Sequence, residues 1–192
     1  MSTSAPTEPA LALIDATGEA CAAVIARPSG VVAAVSETMR RGQAERLGPI
    51  LREALEAAKL APSELAAVAV VVGPGSFTGV RVGVAGARAL ALAIGRPCIG
   101  VTGFDAVAAQ AAGRIEAGPA VIAFGRPDRR LWRVAGADWT LGALEQGDDA
   151  ALAARAAELG GPPVLGPAAG DAAPAFARAV DPAAAAMLAL SR

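Results

Sequence analysis

Apolar residues follow two different periods along this 192-residue chain, and these periods predict a succession of strands and helices. Residues 43–60 carry apolar side chains three and four positions apart, which predicts an amphipathic helix with one buried stripe. Residues 79–94 combine apolar and small residues at helical spacing, which predicts a second helix. Four uninterrupted apolar runs favour buried strands, and they cover residues 11–17, 20–26, 30–36 and 65–72.

The pattern weakens beyond residue 113, where shorter elements are expected. Two strands are predicted around an arginine-rich turn, over residues 119–125 and 130–135. An alanine-rich helix over 148–159 and a short strand over 163–166 follow. Two C-terminal helices are predicted over 172–180 and 182–191.

Composition restricts the chemistry that this chain can perform. Hydrophobic residues make up 54% and aromatic residues only 3%, so an aliphatic core is expected. The net charge of −1, without a basic block, argues against a stand-alone nucleic-acid binder. The chain has no histidine, which removes the commonest general base and metal ligand. Cys21 and Cys98 lie in apolar runs, which favours buried, reduced thiols. We expect no metal and no cofactor.

A glycine-rich loop separates the strand at 65–72 from the helix at 79–94. Its residues are Gly73, Pro74, Gly75, Ser76, Phe77, Thr78 and Gly79, and we call them the signature loop. The glycine spacing is one residue away from a dinucleotide-binding fingerprint, which leaves a nucleotide-phosphate site as one interpretation. The Walker and nucleophile-elbow patterns are both absent. The other interpretation is a sharp turn whose glycines let the helix pack closely on its strand.

Together with Arg81, Gly83 and the following run to residue 101, the signature loop resembles the TsaB family, formerly called YeaZ. The match covers about residues 66–108, and weaker similarity reaches back to residues 14–17 and 43–47. The resemblance implies an actin-like, ribonuclease-H-like α/β fold with two subdomains, the second reduced. We expect a flexible tail over 1–10, an N-terminal subdomain over 11–108 and a smaller C-terminal subdomain over 109–192. Asp15 and Thr17 stand where active members of that superfamily face a nucleotide, so a residual nucleotide site is a further expectation.

For function, the resemblance implies a non-catalytic scaffold in the synthesis of threonylcarbamoyladenosine, the modified nucleoside beside the anticodon of certain tRNAs. TsaB proteins bind and activate their catalytic relative TsaD, the ATPase TsaE joins the pair, and TsaB self-associates when TsaD is absent. The two N-terminal helices form the implied heterodimer interface. The residues expected in it are Leu47, Leu51, Leu55, Arg81, Gly83, Val84, Gly86, Ala87, Arg88 and Ala91.

TsaD holds its metal with two histidines spaced four residues apart, and these positions fall on Gly103 and Val107 here. The resemblance therefore implies no catalytic residue and no metal site. Contact with tRNA is expected to be indirect, although four arginines cluster near the turn at 126–133. No signal peptide and no uninterrupted membrane span are evident, so a cytoplasmic protein is expected.

Enzymes form the rival class of function. One candidate is a nucleotide-binding enzyme that uses the loop between Gly73 and Gly79. The other is a glycoprotease-like peptidase, which the absence of histidine disfavours because no activated nucleophile is evident.

Overall fold

The computed structural model describes residues 8–112, 114–115, 119–172 and 179–191. Most of the predicted tail and of the helix expected over 172–180 lies outside these residues. The strands are β1 (Ala10–Asp15), β2 (Ala20–Arg27), β3 (Gly30–Thr38), β4 (Leu65–Val71), β5 (Cys98–Val101), β6 (Ala120–Arg126), β7 (Arg129–Ala135), β8 (Leu141–Gly147) and β9 (Val164–Leu165). The α-helices are α1 (Gln43–Ala58), α2 (Phe77–Ile94), α3 (Gly103–Ala111), α4 (Asp149–Glu158) and α5 (Pro182–Leu190).

The first sheet has five strands in the order β3-β2-β1-β4-β5. β1 pairs antiparallel with β2 and parallel with β4. All six residues of β1 are buried because both faces of the sheet are covered. Ala12 and Ile14 face the cluster beneath α1 and α2, while Leu11 and Leu13 face the cluster beneath α5. This burial on two sides explains why the strand reads as a continuous apolar run.

The second sheet has four strands in the order β8-β7-β6-β9, with α3 packed on one face and α4 on the other. The two mixed α/β units, the second smaller, confirm the predicted fold class. Strand β8 was not predicted from the sequence. It is an edge strand whose residues are half-buried or exposed, so its sequence lacks an apolar pattern, and its pairing with β7 defines it.

Helix α3 connects the two units and was not delimited in the sequence either. Its Ala106 packs in the cluster of the first sheet, whereas Phe104 and Val107 pack in the cluster of the second. The C-terminal helix α5 returns to the first sheet and packs beside β1 and β2. The subdomain boundary after residue 108 stays a prediction.

One expectation about the cysteines is wrong. Cys21 is buried in β2, as predicted, but Cys98 is exposed. Cys98 begins β5, a four-residue strand at the edge of the first sheet, and an edge position leaves its side chain uncovered.

Candidate functional site

The carboxyl end of β1 forms a tight, buried turn around Asp15. The Oδ1 atom of Asp15 accepts hydrogen bonds from the backbone N–H and the hydroxyl of Thr17, both at 2.8 Å. The two residues are 6% and 4% exposed. Burial raises the pKa of the Asp15 carboxyl, because it penalises the charged form, and the two bonds from Thr17 oppose that effect. We call residues 15–17 the Asp15 turn.

The signature loop lies directly on the Asp15 turn. The backbone N–H of Ser76 donates to the carbonyl of Thr17 at 2.7 Å. A Cβ atom added at Gly75 would stand 2.4 Å from that carbonyl oxygen, and one at Gly79 would stand 1.9 Å from the carbonyl oxygen of Ala16. Real Cβ atoms do not approach an oxygen so closely. These two glycines are therefore required by close packing of the loop on the Asp15 turn, rather than on the strand that precedes the loop.

The loop is also held at its other end and leads directly into α2. The carbonyl of Gly73, which has a φ of 102° and precedes a cis peptide bond to Pro74, accepts a hydrogen bond from the N–H of Gly103 at 2.7 Å. Ser76 caps α2, because its hydroxyl accepts from the N–H of Gly79 at 3.3 Å. The structure thus brings Asp15, Thr17 and the signature loop together.

Two backbone N–H groups of the signature loop are already engaged within the protein. A phosphate loop presents backbone N–H groups to the ligand, but those of Ser76 and Gly79 already donate within the protein. Oδ1 of Asp15 likewise serves its own turn. Among the described residues, no group of three or more His, Cys, Asp or Glu side chains could hold a metal ion.

The start of α3 carries Gly103 and Val107, the two positions where the resemblance places the histidines of TsaD, and both pack against apolar groups. A Cβ atom at Gly103 would lie 2.9 Å from Cζ of Phe124. The rings of Phe104 and Phe124 meet edge to face, with centroids 4.8 Å apart. Val107 is fully buried in the same cluster. The start of α3 therefore makes a hydrophobic contact with the second sheet.

Helix α2 is apolar, and most of its residues are not buried. Its buried residues are Gly79, Gly83, Ala87 and Ala91, which face the first sheet. By length and composition it could cross a membrane, with a mean hydropathy of 1.4, yet only 22% of its residues are buried. One such helix is weak evidence of a membrane span, and α2 lies on the first sheet along one face.

Among the exposed residues on the opposite side of α2, four carry large side chains, Phe77, Arg81, Arg88 and Leu92, and we call these four the α2 outer face. Phe77 is 70% exposed and Leu92 is 84% exposed. The guanidinium carbon of Arg81 lies 3.8 Å from the centroid of the Phe77 ring, in a cation–π arrangement. The α2 outer face thus combines two exposed large apolar side chains with two arginines.

A groove of about 390 Å³ runs between α1 and α2. Its surface is mainly apolar, and its lining residues are Ile14, Ala44, Leu47, Gly48, Leu51, Val82, Ala85 and Gly86. The groove is continuous along α2 with the exposed positions of that helix.

The interface residues predicted from the sequence fall into three groups. Arg81 and Arg88 are exposed. Leu51, Val84 and Gly86 are half-buried. The other five belong to the core beneath the helices, namely Leu47, Leu55, Gly83, Ala87 and Ala91. Sequence reasoning missed Leu92, which follows Arg81 and Arg88 at 11 and 4 positions and thus shares their side of the helix.

The arginine cluster of the second unit is largely paired. Arg126 lies 3.6 Å from Asp128, and Arg130 contacts Asp149 at 2.5 Å. Arg133 donates to the carbonyls of Leu141 and Gly142. Two of the four positive charges are therefore paired with carboxylates, which weakens the attraction of this turn for a phosphate backbone.

Comparison with known proteins identifies the family. Residues 19–125, more than half of the chain, match the family model described as TsaD, tRNA N6-adenosine threonylcarbamoyltransferase. The chain belongs to this family. The matched residues of this chain run from just before β2 into β6, and so include the signature loop, α2 and α3.

Individual relatives refine this assignment. The chain is 41% identical over 104 residues to an uncharacterized protein of Mycobacterium tuberculosis, covering 54% of this chain and 49% of that protein. It is 30% identical over 97 residues to the tRNA threonylcarbamoyladenosine biosynthesis protein TsaB of Bacillus subtilis, covering 50% and 42%. The matched part of the chain thus spans about half the length of these curated relatives.

A solved structure extends the likeness over almost the whole chain. YeaZ from Pseudomonas aeruginosa superposes with a TM-score of 0.67 and 26% identity, covering 95% of this chain and 90% of that one. The resemblance to the TsaB (YeaZ) family that the sequence indicated is therefore confirmed.

Proposed function

We propose that this chain is a cytoplasmic, non-catalytic scaffold subunit in tRNA threonylcarbamoyladenosine synthesis, which binds and activates the transferase TsaD. The observation that carries the proposal is the exposure of α2, an apolar helix of which only 22% of residues are buried. TsaE joins through the TsaB–TsaD pair, and tRNA is met indirectly. In the absence of TsaD the same surface supports self-association.

The composition of the α2 outer face supports a protein partner. Aromatic residues and arginine are enriched at the centres of protein interfaces, where they supply most of the binding energy. Phe77 and Arg81 are already stacked on each other in the free chain, so little ordering is needed on binding. The adjacent groove offers a recess for apolar side chains of a partner helix.

The lack of histidine supports a non-catalytic role. The chain has no histidine, and the first turn of α3 is filled by Phe124 where TsaD relatives hold metal. Relocation of a histidine-based site elsewhere in the chain is thereby ruled out.

The enzymatic alternative receives less support from the geometry. A nucleotide-binding enzyme would use the signature loop, whose Ser76 and Gly79 N–H groups are engaged within the protein. A glycoprotease would need an activated nucleophile, and no histidine is present to activate one.

The decisive experiment compares two substitutions of the same kind on different surfaces. Leu92→Ser removes an apolar side chain that is 84% exposed on the α2 outer face, and Leu144→Ser removes one that is 59% exposed on β8. Burying a leucine side chain contributes about 1.5–3 kcal/mol, so Leu92→Ser should weaken binding to TsaD by about 10- to 100-fold. Leu144→Ser should leave the affinity unchanged.

Calorimetry or surface plasmon resonance with purified TsaD from the same genome provides the measurement. Circular dichroism of both variants verifies that the fold is retained. Equal affinities for the wild-type chain and Leu92→Ser would overturn the assignment of the interface to the α2 outer face.

A further inference from the structure

A single aromatic ring from the second sheet packs against the start of α3. Phe124 lies on β6, is 3% exposed, and places its Cζ and Cε1 atoms 2.9 and 3.1 Å from where a Cβ of residue 103 would be. Only glycine leaves room for the ring at that position. Val180, at 3.2 Å from the same point, encloses the contact from another side.

The residue that meets this ring also holds the signature loop. The N–H of Gly103 donates to the carbonyl of Gly73 at 2.7 Å, and three residues later the N–H of Ser76 donates to Thr17 at 2.7 Å. A continuous series of contacts therefore runs from the second sheet, through the first turn of α3 and the signature loop, to the Asp15 turn of the first sheet. Helix α2 begins directly after that loop.

We infer that Phe124 is a positioning residue that holds the first turn of α3 in place and thereby fixes the signature loop at the N-terminus of α2. The ring fills the space beside Gly103, so the turn cannot move toward the second sheet. Because Gly103 carries the hydrogen bond to Gly73, removing the ring loosens one of the two attachments of the loop. This inference concerns the free chain and does not depend on binding to TsaD.

Amide hydrogen exchange measured by NMR on the full chain tests the inference directly. The N–H groups of Gly103 and Ser76 report on the two attachments of the loop. In Phe124→Ala we expect both amides to exchange at least about tenfold faster, since deleting a buried ring opens the structure locally.

The matched control is Leu152→Ala, which empties a buried position on the other face of the second sheet. It lowers the stability of that sheet without touching α3. In the control, exchange at Gly103 and Ser76 should rise no more than the change in global stability requires. An equal rise in both variants, or unchanged exchange in Phe124→Ala, would overturn the inference.

A reverse substitution tests the same contact if Phe124→Ala folds poorly. Gly103→Ala places a methyl group against the ring, and Phe124→Leu shortens the ring to a smaller side chain. We expect Gly103→Ala to lower the urea midpoint of the wild-type chain clearly and to lower that of Phe124→Leu much less. Purely additive midpoints in the double variant would show that the two residues are not coupled and would also overturn the inference.

Discussion

Two glycines on the same face of α2 should respond in opposite ways to the same substitution. Gly79 and Gly83 are both buried and one helical turn apart. A Cβ at Gly79 would stand 1.9 Å from the carbonyl oxygen of Ala16, whereas one at Gly83 would stand 3.5 Å from Cγ2 of Val70. At 1.9 Å the added carbon would overlap the carbonyl oxygen of Ala16, so the backbone of α2 would have to move away from the Asp15 turn. At 3.5 Å the added carbon at Gly83 would make an ordinary van der Waals contact.

The expected magnitudes follow from these distances. A carbon atom cannot approach an oxygen atom to 1.9 Å, so Gly79→Ala must push α2 and its loop away from the Asp15 turn. Overpacking of this kind costs about 1–3 kcal/mol of unfolding free energy. The displacement also strains the hydrogen bond from Ser76 to Thr17, worth about 1 kcal/mol. We expect a loss of about 2–4 kcal/mol of unfolding free energy. Gly83→Ala should instead gain up to about 1 kcal/mol, because alanine favours the helix.

Urea denaturation followed by circular dichroism measures both variants against the wild-type chain. The midpoint of Gly79→Ala should fall, and that of Gly83→Ala should stay or rise. If the two variants gave the same midpoint, the close packing of the signature loop on the Asp15 turn would be refuted as the reason for these glycines.

Two further predictions concern the Asp15 turn. Asp15→Asn keeps an oxygen acceptor for Thr17 but removes the buried charge. Because burial raises the pKa of Asp15 above its ordinary value of 3.8, the native state binds its proton more tightly than the unfolded chain does, and the carboxyl costs stability at pH values above the raised pKa. The variant should therefore be more stable than wild type at pH 7. This gain should shrink as the pH falls through the raised pKa towards 3.8, and a gain that is constant with pH would contradict the assignment. Separately, calorimetric titration of the chain with Mg-ATP or NAD should give no saturable heat, whereas stoichiometric binding would favour the nucleotide-binding alternative.

Much of the first unit could be predicted from the sequence because its signals are local. The central strands β1, β2 and β4 of the first sheet are largely buried, so they appear as apolar runs, and α1 shows its buried stripe through residues such as Leu47 and Ile50. The glycines of the signature loop and its capping residue Ser76 predict a strand–turn–helix. Close packing of the helix on its strand was one of two interpretations that the residues left open, whereas the contact of Gly75 and Gly79 with the Asp15 turn was not predicted.

Features that depend on tertiary pairing were not predictable in this way. β8 exists because β7 pairs with it, and its own residues show no alternation. The side of α2 that faces solvent could not be decided from the sequence either, because small residues such as Gly83 and Ala87 suit a sheet and a partner helix equally well. The position of the first sheet decides which side of α2 is buried, and Leu92 lies on the exposed side.

The measurement that tests the central claim most directly is threonylcarbamoylation of tRNA by TsaD from the same genome, with and without this chain. TsaD and threonylcarbamoyl-adenylate are supplied with TsaE and ATP, and the modified nucleoside is quantified by mass spectrometry. The account predicts a stable complex and efficient modification only when this chain is present, with activity reduced for Leu92→Ser and retained for Leu144→Ser. Full activity of TsaD without this chain, and no complex between the two, would contradict it.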